Sequence, residues 1–319
     1  MPLRTRLTEL LAIRHPVLLA PMGGTAGGKL AAAVSEAGGL GLIGGGRSDA
    51  EWLGREFVAA GNQRIGCGFI TWGLAQQPEL LDRALTHAPV AIMLSFGYAS
   101  PFIARIKSAG IPVICQIQSL AQARQVLQEG ADIIVAQGSE AAGHLRTVPL
   151  CHWSRRGGGC GDGFAAGIPV VAAGGIADGR GLAAALMLGA AGVLIATRFH
   201  AAEESLLPRA AKHRIVSGSG TTRCARRSSP SLSGASVRRS IPAAYFRTAS
   251  AKSGGAGRRR SPRTLASLPF TPKLEQQTIS DTPSFTQAKG STCSTPSSRR
   301  ARLSRVVGEA EAALTRRFS

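Results

Sequence analysis

A chain of 319 residues with 44% hydrophobic and 18% charged side chains is long enough for one large α/β core or two smaller ones. No run of about 18 apolar residues lacks breakers, which argues against a membrane-spanning helix, and the six cysteines include no CxxC pair, which argues against a disulfide scaffold or zinc ribbon. The formal charge of +20 is divided unevenly: residues 1–213 hold 18 basic and 14 acidic side chains, whereas residues 214–319 hold 20 and 4, so two differently composed pieces share one chain.

The N-terminus, MPLRTRLTELLAIRHP, is a charged amphipathic stretch without the long apolar core of a secretory signal. With the scattered cysteines it fits a cytoplasmic protein. Short apolar runs then recur: PVLLAP (16–21), GLGLIGG (39–45), RIGCGFI (64–70), VAIMLSF (90–96), PVICQI (112–117), DIIVAQG (132–138), PVVAAGG (169–175) and GVLIAT (192–197). Each is apolar on both faces, as parallel strands covered by helices require. Between them lie segments of helical period, among them GKLAAAVSEAGG, PELLDRALTHA, PFIARIKSAG, LAQARQVLQEGA and GRGLAAALMLGA, several closing on the glycine that ends a helix. Eight strand–helix units at a spacing of about 25 residues predict a (β/α)8 TIM barrel. A doubly wound open sheet is the rival, and the unbroken series of eight favours the barrel.

Barrel enzymes work at the C-terminal ends of their strands. The first strand runs into Pro21-Met22-Gly23-Gly24, where Gly23 and Gly24 let a ligand approach the backbone closely or simply form a βα turn. The seventh runs into Gly174-Gly175 and a helix, and the eighth into Ala196-Thr197. Turns at these two places suit a phosphate, which would be held by backbone N–H groups and a helix N-terminus. After the sixth strand, Gln137-Gly138-Ser139-Glu140-Ala141-Ala142-Gly143-His144 places a histidine on a strand-end loop among small residues. An unperturbed pKa near 6.5 suits it to proton transfer, although a lone loop histidine is more often only solvated. Gln116, ending the fifth strand, is equally consistent with a donor to a cofactor ring and with a buried structural amide. There is no G-x-G-x-x-G after the first strand, no P-loop and no metal-ligand cluster. The pattern therefore points to a phosphate-bearing organic cofactor.

Taken together, the segments APMGG, VAIMLSFG, QGSEAAGH, VVAAGGIADGRGLAAALMLGA and GVLIATRF resemble the nitronate monooxygenase family, also called 2-nitropropane dioxygenases, over about residues 1–205. The family consists of FMN-dependent TIM barrels. The resemblance implies FMN bound at Met22, Gly23, Gln116 and Ala142, with its phosphate at Gly174, Gly175, Ala196 and Thr197. It implies His144 as the catalytic residue, a nitronate or nitroalkane and O2 as the small-molecule partners, and no metal. Where many family members carry an asparagine in the third strand, this chain has Gly68, which puts one flavin hydrogen bond in doubt. The alternative enzyme reading is an FMN- and NAD(P)H-dependent enoyl-acyl-carrier-protein reductase, since related barrels share the Gly-His loop.

Two segments break the pattern. Residues 151–163, CHWSRRGGGCGDG, stand where the sixth helix belongs, and residues 214–319 are rich in Ser, Arg and Pro with little periodicity. Both read like translation out of frame. The expectation is a barrel domain over 1–213, incomplete at its sixth helix and C-terminal helices, followed by a disordered basic tail over 214–319 that is too poor in large apolar residues to build a core. The tail's charge would attract phosphates, but no recognition motif marks a specific nucleic-acid interaction.

Overall fold

A computed structural model describes residues 3–46, 49–138, 141, 167–217 and 306–312. Its eight strands are β1 (Val17–Leu19), β2 (Leu42–Gly44), β3 (Gly66–Ile70), β4 (Ile92–Ser95), β5 (Val113–Ile117), β6 (Ile133–Gln137), β7 (Val170–Ala173) and β8 (Gly192–Ile195), each inside a run predicted from the sequence. They pair in the order β1-β8-β7-β6-β5-β4-β3-β2, every pair parallel. The two ends of this series meet. Leu18 bridges Leu40 just before β2, where the Leu19 N–H donates to the Leu40 carbonyl at 2.9 Å and the Leu40 N–H to the Val17 carbonyl at 3.0 Å. The sheet is thus a ring, and the architecture is the (β/α)8 barrel rather than the doubly wound sheet.

The helices are α1 (Arg6–Leu11), α2 (Gly28–Glu36), α3 (Ala50–Ala59), α4 (Thr71–Leu74), α5 (Glu79–Leu85), α6 (Ser100–Ser108), α7 (Leu120–Gln128), α8 (Gly179–Met187), α9 (Thr197–His200), α10 (Arg209–Ser217) and α11 (306–312). Four of them begin at short polar side chains that satisfy otherwise orphaned N–H groups. Thr5 and Thr8 form a reciprocal capping box at α1. Asp49 accepts from the Trp52 N–H at α3, Ser119 from Gln122 at α7, and Asp178 from Gly181 at α8.

Strand alternation divides the core in two. Side chains such as Val17, Leu19, Ile92, Leu94, Val113 and Ile134 face outward and pack under the helices. Leu18, Leu42, Met93, Ile114, Val135, Val171 and Leu194 face inward and fill the barrel. Leu7 and Leu11 of α1 join that inner cluster and close the end of the barrel where the strands begin. The Arg64 guanidinium donates to the Ala12 carbonyl at 3.2 Å, tying the end of α1 to the segment before β3.

The anomalous segment 151–163 and most of the tail lie outside the described residues, so the expected loss of the sixth helix falls there too. Two described pieces bear on the tail. Helix α10 runs across the compositional boundary at 213 and buries Ile215. Residues 306–312, to which the sequence reading assigned no element, form α11 and bury Val306, Val307 and Ala310 in the outer core. The Glu309 carboxylate accepts from the Gly179 N–H at 3.2 Å. The approach is close enough that a Cβ on Gly179 would lie 2.3 Å from the Glu309 Cβ, so a side chain there would push α11 off. No helix among the described residues is long and apolar enough to cross a membrane.

Candidate active site at the barrel mouth

The ring order decides which sequence-distant turns become neighbours. Because β1 pairs with β8 and β8 with β7, the turns carrying Met22-Gly23, Ala196-Thr197 and Gly174-Gly175 form one continuous arc at the C-terminal end of the barrel. The Met22 carbonyl accepts from the N–H groups of Thr25 and Ala26, folding the first turn tightly. A Cβ on Gly23 would meet nothing within 4 Å, so that backbone faces open space. Gly174 and Gly175 have φ of +118° and +67°, a left-handed pair that a chain of L side chains adopts only under strain. Ala196 leads directly into α9 and Thr197 opens it. The Asp178 cap fixes the first turn of α8, which follows the Gly174-Gly175 turn. Burial tends to raise the pKa of the Asp178 carboxyl. The hydrogen bond and charge of Arg180, with the Gly181 N–H, outweigh burial and hold it below the ordinary carboxylate range.

Gln116 lies two strands from β7, in the inward-facing row of β5 that also holds Ile114. His144 and Ala142 lie outside the described residues. Of their loop, Ala141 is described: its N–H donates to the Gly138 carbonyl, and a Cβ on Gly174 would sit 3.0 Å from the Ala141 nitrogen. The loop that carries the histidine therefore starts against the turn expected to hold a phosphate. Met22, Gly23, Gln116, Gly174, Gly175, Ala196 and Thr197 all sit at the strand C-termini.

Gly68 behaves differently from a vacant asparagine position. A Cβ there would lie 2.3 Å from Pro21 Cγ, so the ring of Pro21 occupies the space that a longer side chain would need. This chain has filled the position from the first strand instead of the third.

Several polar groups at the mouth went unnoticed in the sequence. Gln118 Nε2 donates to Gln137 Oε1 at 2.6 Å, both side chains buried. Thr71, also buried, donates its hydroxyl to the Ser95 carbonyl at 2.7 Å. The Ser95 hydroxyl itself is buried and has no hydrogen-bond partner among the described residues. The residue after it, Phe96, has φ +58°, a conformation that costs energy for a side chain of its size. The alternation Ala91, Met93, Ser95 was the available signal, since it puts Ser95 on the inner face at the end of β4.

The described residues offer little other chemistry. No group of His, Cys, Asp and Glu among them could hold a metal ion. Cys67 and Cys115 lie on the outward faces of β3 and β5. Burial raises both thiols, Cys115 to about 12 with help from Glu129 and Asp132, so neither supplies a thiolate near neutral pH. A cavity of about 390 Å³ lined by Phe57, Gln63, Arg64 and His87 lies at the opposite end, where β3 and β4 begin.

A closed parallel barrel with glycine turns after its first and seventh strands brings those turns together at its C-terminal mouth, where barrel enzymes keep their active sites. The family model for nitronate monooxygenase matches residues 4–60 and 74–229, and this chain belongs to that family. The match runs past 205 and across 151–163. The chain is 37% identical over 219 residues to a (3aS,4S,5R,7aS)-5-hydroxy-7a-methyl-1-oxo-octahydro-1H-indene-4-carboxyl-CoA dehydrogenase of Mycobacterium tuberculosis, covering 68% of this chain and 61% of that one. It is 32% identical over 299 residues to a nitronate monooxygenase of Paraburkholderia phytofirmans, covering 75% of this chain and 81% of the other. Among solved structures it resembles FabK from Thermotoga maritima, with a TM-score of 0.61 and 36% identity over 69% of this chain and 70% of that one. The chain thus spans about three fifths of the mycobacterial relative. These relatives' names are those of oxidoreductases where they state an activity.

Proposed function

We propose that this chain binds FMN across the barrel mouth and oxidises alkyl nitronates, with O2, to a carbonyl compound and nitrite. The observation that carries the reading is the continuous arc of turns after β1, β8 and β7, with its left-handed pair Gly174-Gly175 and the open backbone at Gly23. The residues present fit the group. Backbone N–H groups around Gly174, Gly175, Ala196 and Thr197 would take the phosphate, as glycine turns leading into a helix do elsewhere. Met22 and Gly23 would lie along the ring system and Gln116 would hydrogen-bond its edge. Ala142 would pack against the ring from the sixth loop. Bound there, FMN supplies electron transfer between the organic substrate and O2.

His144 is assigned the proton. With a neutral nitroalkane it would accept the α-proton, and with a nitronate it would donate a hydrogen bond to the nitro group. The apolar inner core beneath the mouth keeps water from the buried side of the site.

A second reading, oxidoreduction of an acyl thioester, has a specific finding in its favour: the carboxyl-CoA dehydrogenase at 37% identity. It would use the same cofactor site. The test is the visible spectrum of the purified chain with added FMN, followed by O2 uptake with a primary nitronate and NAD(P)H oxidation with an enoyl thioester. Bound flavin with nitronate-dependent O2 uptake and nitrite release is the expected outcome. Bound flavin with turnover only on the thioester would transfer the assignment to the second reading. Absence of flavin binding would overturn both.

A further inference from the structure

Several buried polar atoms find no hydrogen-bond partner among the described residues, and one of them, Ser95 Oγ, lies on the inner row of the mouth. Ser95 is 5% exposed. Its carbonyl is engaged by Thr71, which fixes the end of β4 without satisfying the hydroxyl. A buried hydroxyl left unpaired is costly, and proteins keep few of them. Its position explains what would pair it. On β4, Ala91 and Met93 belong to the inner cluster and Ile92 and Leu94 to the outer one, so Ser95 continues the inward row at the mouth. It lies across from Ile70 of β3, and continuing the β4–β5 register one residue past Leu94–Cys115 sets it beside Gln116. β8 is the fourth strand from β4 in either direction round the ring and β7 the third, so Ser95 stands across the mouth from the turn after β8, one of the two expected to hold the phosphate. The left-handed Phe96 and the turn through Gly97 carry the chain away at this point. Strain is retained at such places when the surroundings impose it, often at ligand sites.

We propose that Ser95 contacts the cofactor, its hydroxyl donating a hydrogen bond to a carbonyl oxygen on the ring of the flavin seated across the mouth, next to Gln116. The contact rests on the FMN reading and adds Ser95 to its residues. It would hold the ring edge from the side of the mouth away from the turns after β7 and β8. Gln116 and the buried Gln118–Gln137 pair continue the polar side of the mouth from there.

The test compares the full chain with Ser95→Ala and Ser95→Cys, measuring the Kd for FMN and for riboflavin by quenching of flavin fluorescence, and the melting temperature without flavin. The expected result is a loss of about 5- to 20-fold in affinity for both flavins in both variants, the worth of one hydrogen bond. The flavin-free melting temperature of Ser95→Ala should stay the same or rise, because an unpaired buried hydroxyl has been removed. An unchanged Kd for both flavins would overturn the proposal. So would a flavin-free Ser95→Ala that melts lower, which would make Ser95 a packing residue. A loss confined to FMN would place the contact at the phosphate and overturn it as well. If the unaltered chain binds neither flavin, the FMN reading itself falls, a result separate from any effect of the variants.

Discussion

The two ends of this barrel are built on opposite principles. Where the strands begin, α1 drives Leu7 and Leu11, at 0% and 1% exposure, into the inner core, and the Arg64 guanidinium meets the carbonyls that end that helix. Where the strands finish, apolar side chains give way to glycines, amides and hydroxyls: Gly174 and Gly175 with positive φ, the Gln118–Gln137 pair, the unpaired Ser95 and the left-handed Phe96. The closed end has its own left-handed residues, Ala12 and Ala88, and unpaired ring nitrogens on His15 and His87, but its inward row is apolar. The open end places its left-handed glycines and buried polar groups on the inner rim, where the ligand proposed above would recover part of their cost. The proposed site and the apolar closure thus fall at different ends of the same strands.

The largest expected effect breaks the closed end. Leu7→Ala leaves a cavity beside the inner core and should cost about 2–5 kcal/mol. Chemical denaturation should show a lower midpoint, while any flavin affinity of the molecules that remain folded should be unchanged. A parallel loss of affinity would mean that the two ends are coupled.

A smaller effect sharpens the account of the open end. Gly68→Asn restores the side chain common in the family, but its Cβ would fall 2.3 Å from the Pro21 ring. Overpacking of this kind costs about 1–3 kcal/mol. Because Pro21 leads directly to Met22 and Gly23, the variant should also bind flavin more weakly. Tighter binding with no loss of stability would show that Pro21 yields and that the family arrangement is still accessible.

The smallest effect concerns pH. Burial lowers the pKa of His200 against the opposing hydrogen bond at Ala196, and burial also lowers His15 and His87. In the unfolded chain a histidine takes up a proton near pH 6.5, but the folded chain resists until a lower pH. The unfolded state therefore binds more protons in that window, and stability should decline as pH falls below about 6.5 toward the folded values. Melting temperatures between pH 7.5 and 5.5 should fall gradually, and His200→Gln should flatten part of the slope. A slope of the opposite sign would contradict the burial of these rings.

The continuous apolar runs made the strands legible because parallel strands are covered on both faces, and all eight appear where those runs lie. The glycine turns after β1 and β7 were legible for a related reason, since few other residues adopt such backbones. Ser95 was not. The alternation with Ala91 and Met93 puts it on the inner face, but that it is buried without a partner among the described residues is not written in local sequence. Gln116 stood between two readings, and its inward row on β5 removes it from the outer core but leaves its donor role to the ligand. Helix α11 was hidden by composition. Its alanines and glutamates form a helix readily, but nothing nearby in sequence announces that Val306, Val307 and Ala310 have an apolar surface to bury against.

The sequence alone determined the strand–helix alternation, the chemistry of the turns and the family, because each depends on residues adjacent in the chain. Tertiary structure decided which of those turns become neighbours. Closure of the ring through Leu18 and Leu40 brings the first strand beside the eighth and so joins turns about 170 residues apart in sequence into one arc. It also decided that Pro21 fills the space above Gly68 and that the Ser95 hydroxyl is buried without a partner among the described residues, since burial and pairing depend on side chains that local sequence does not bring together.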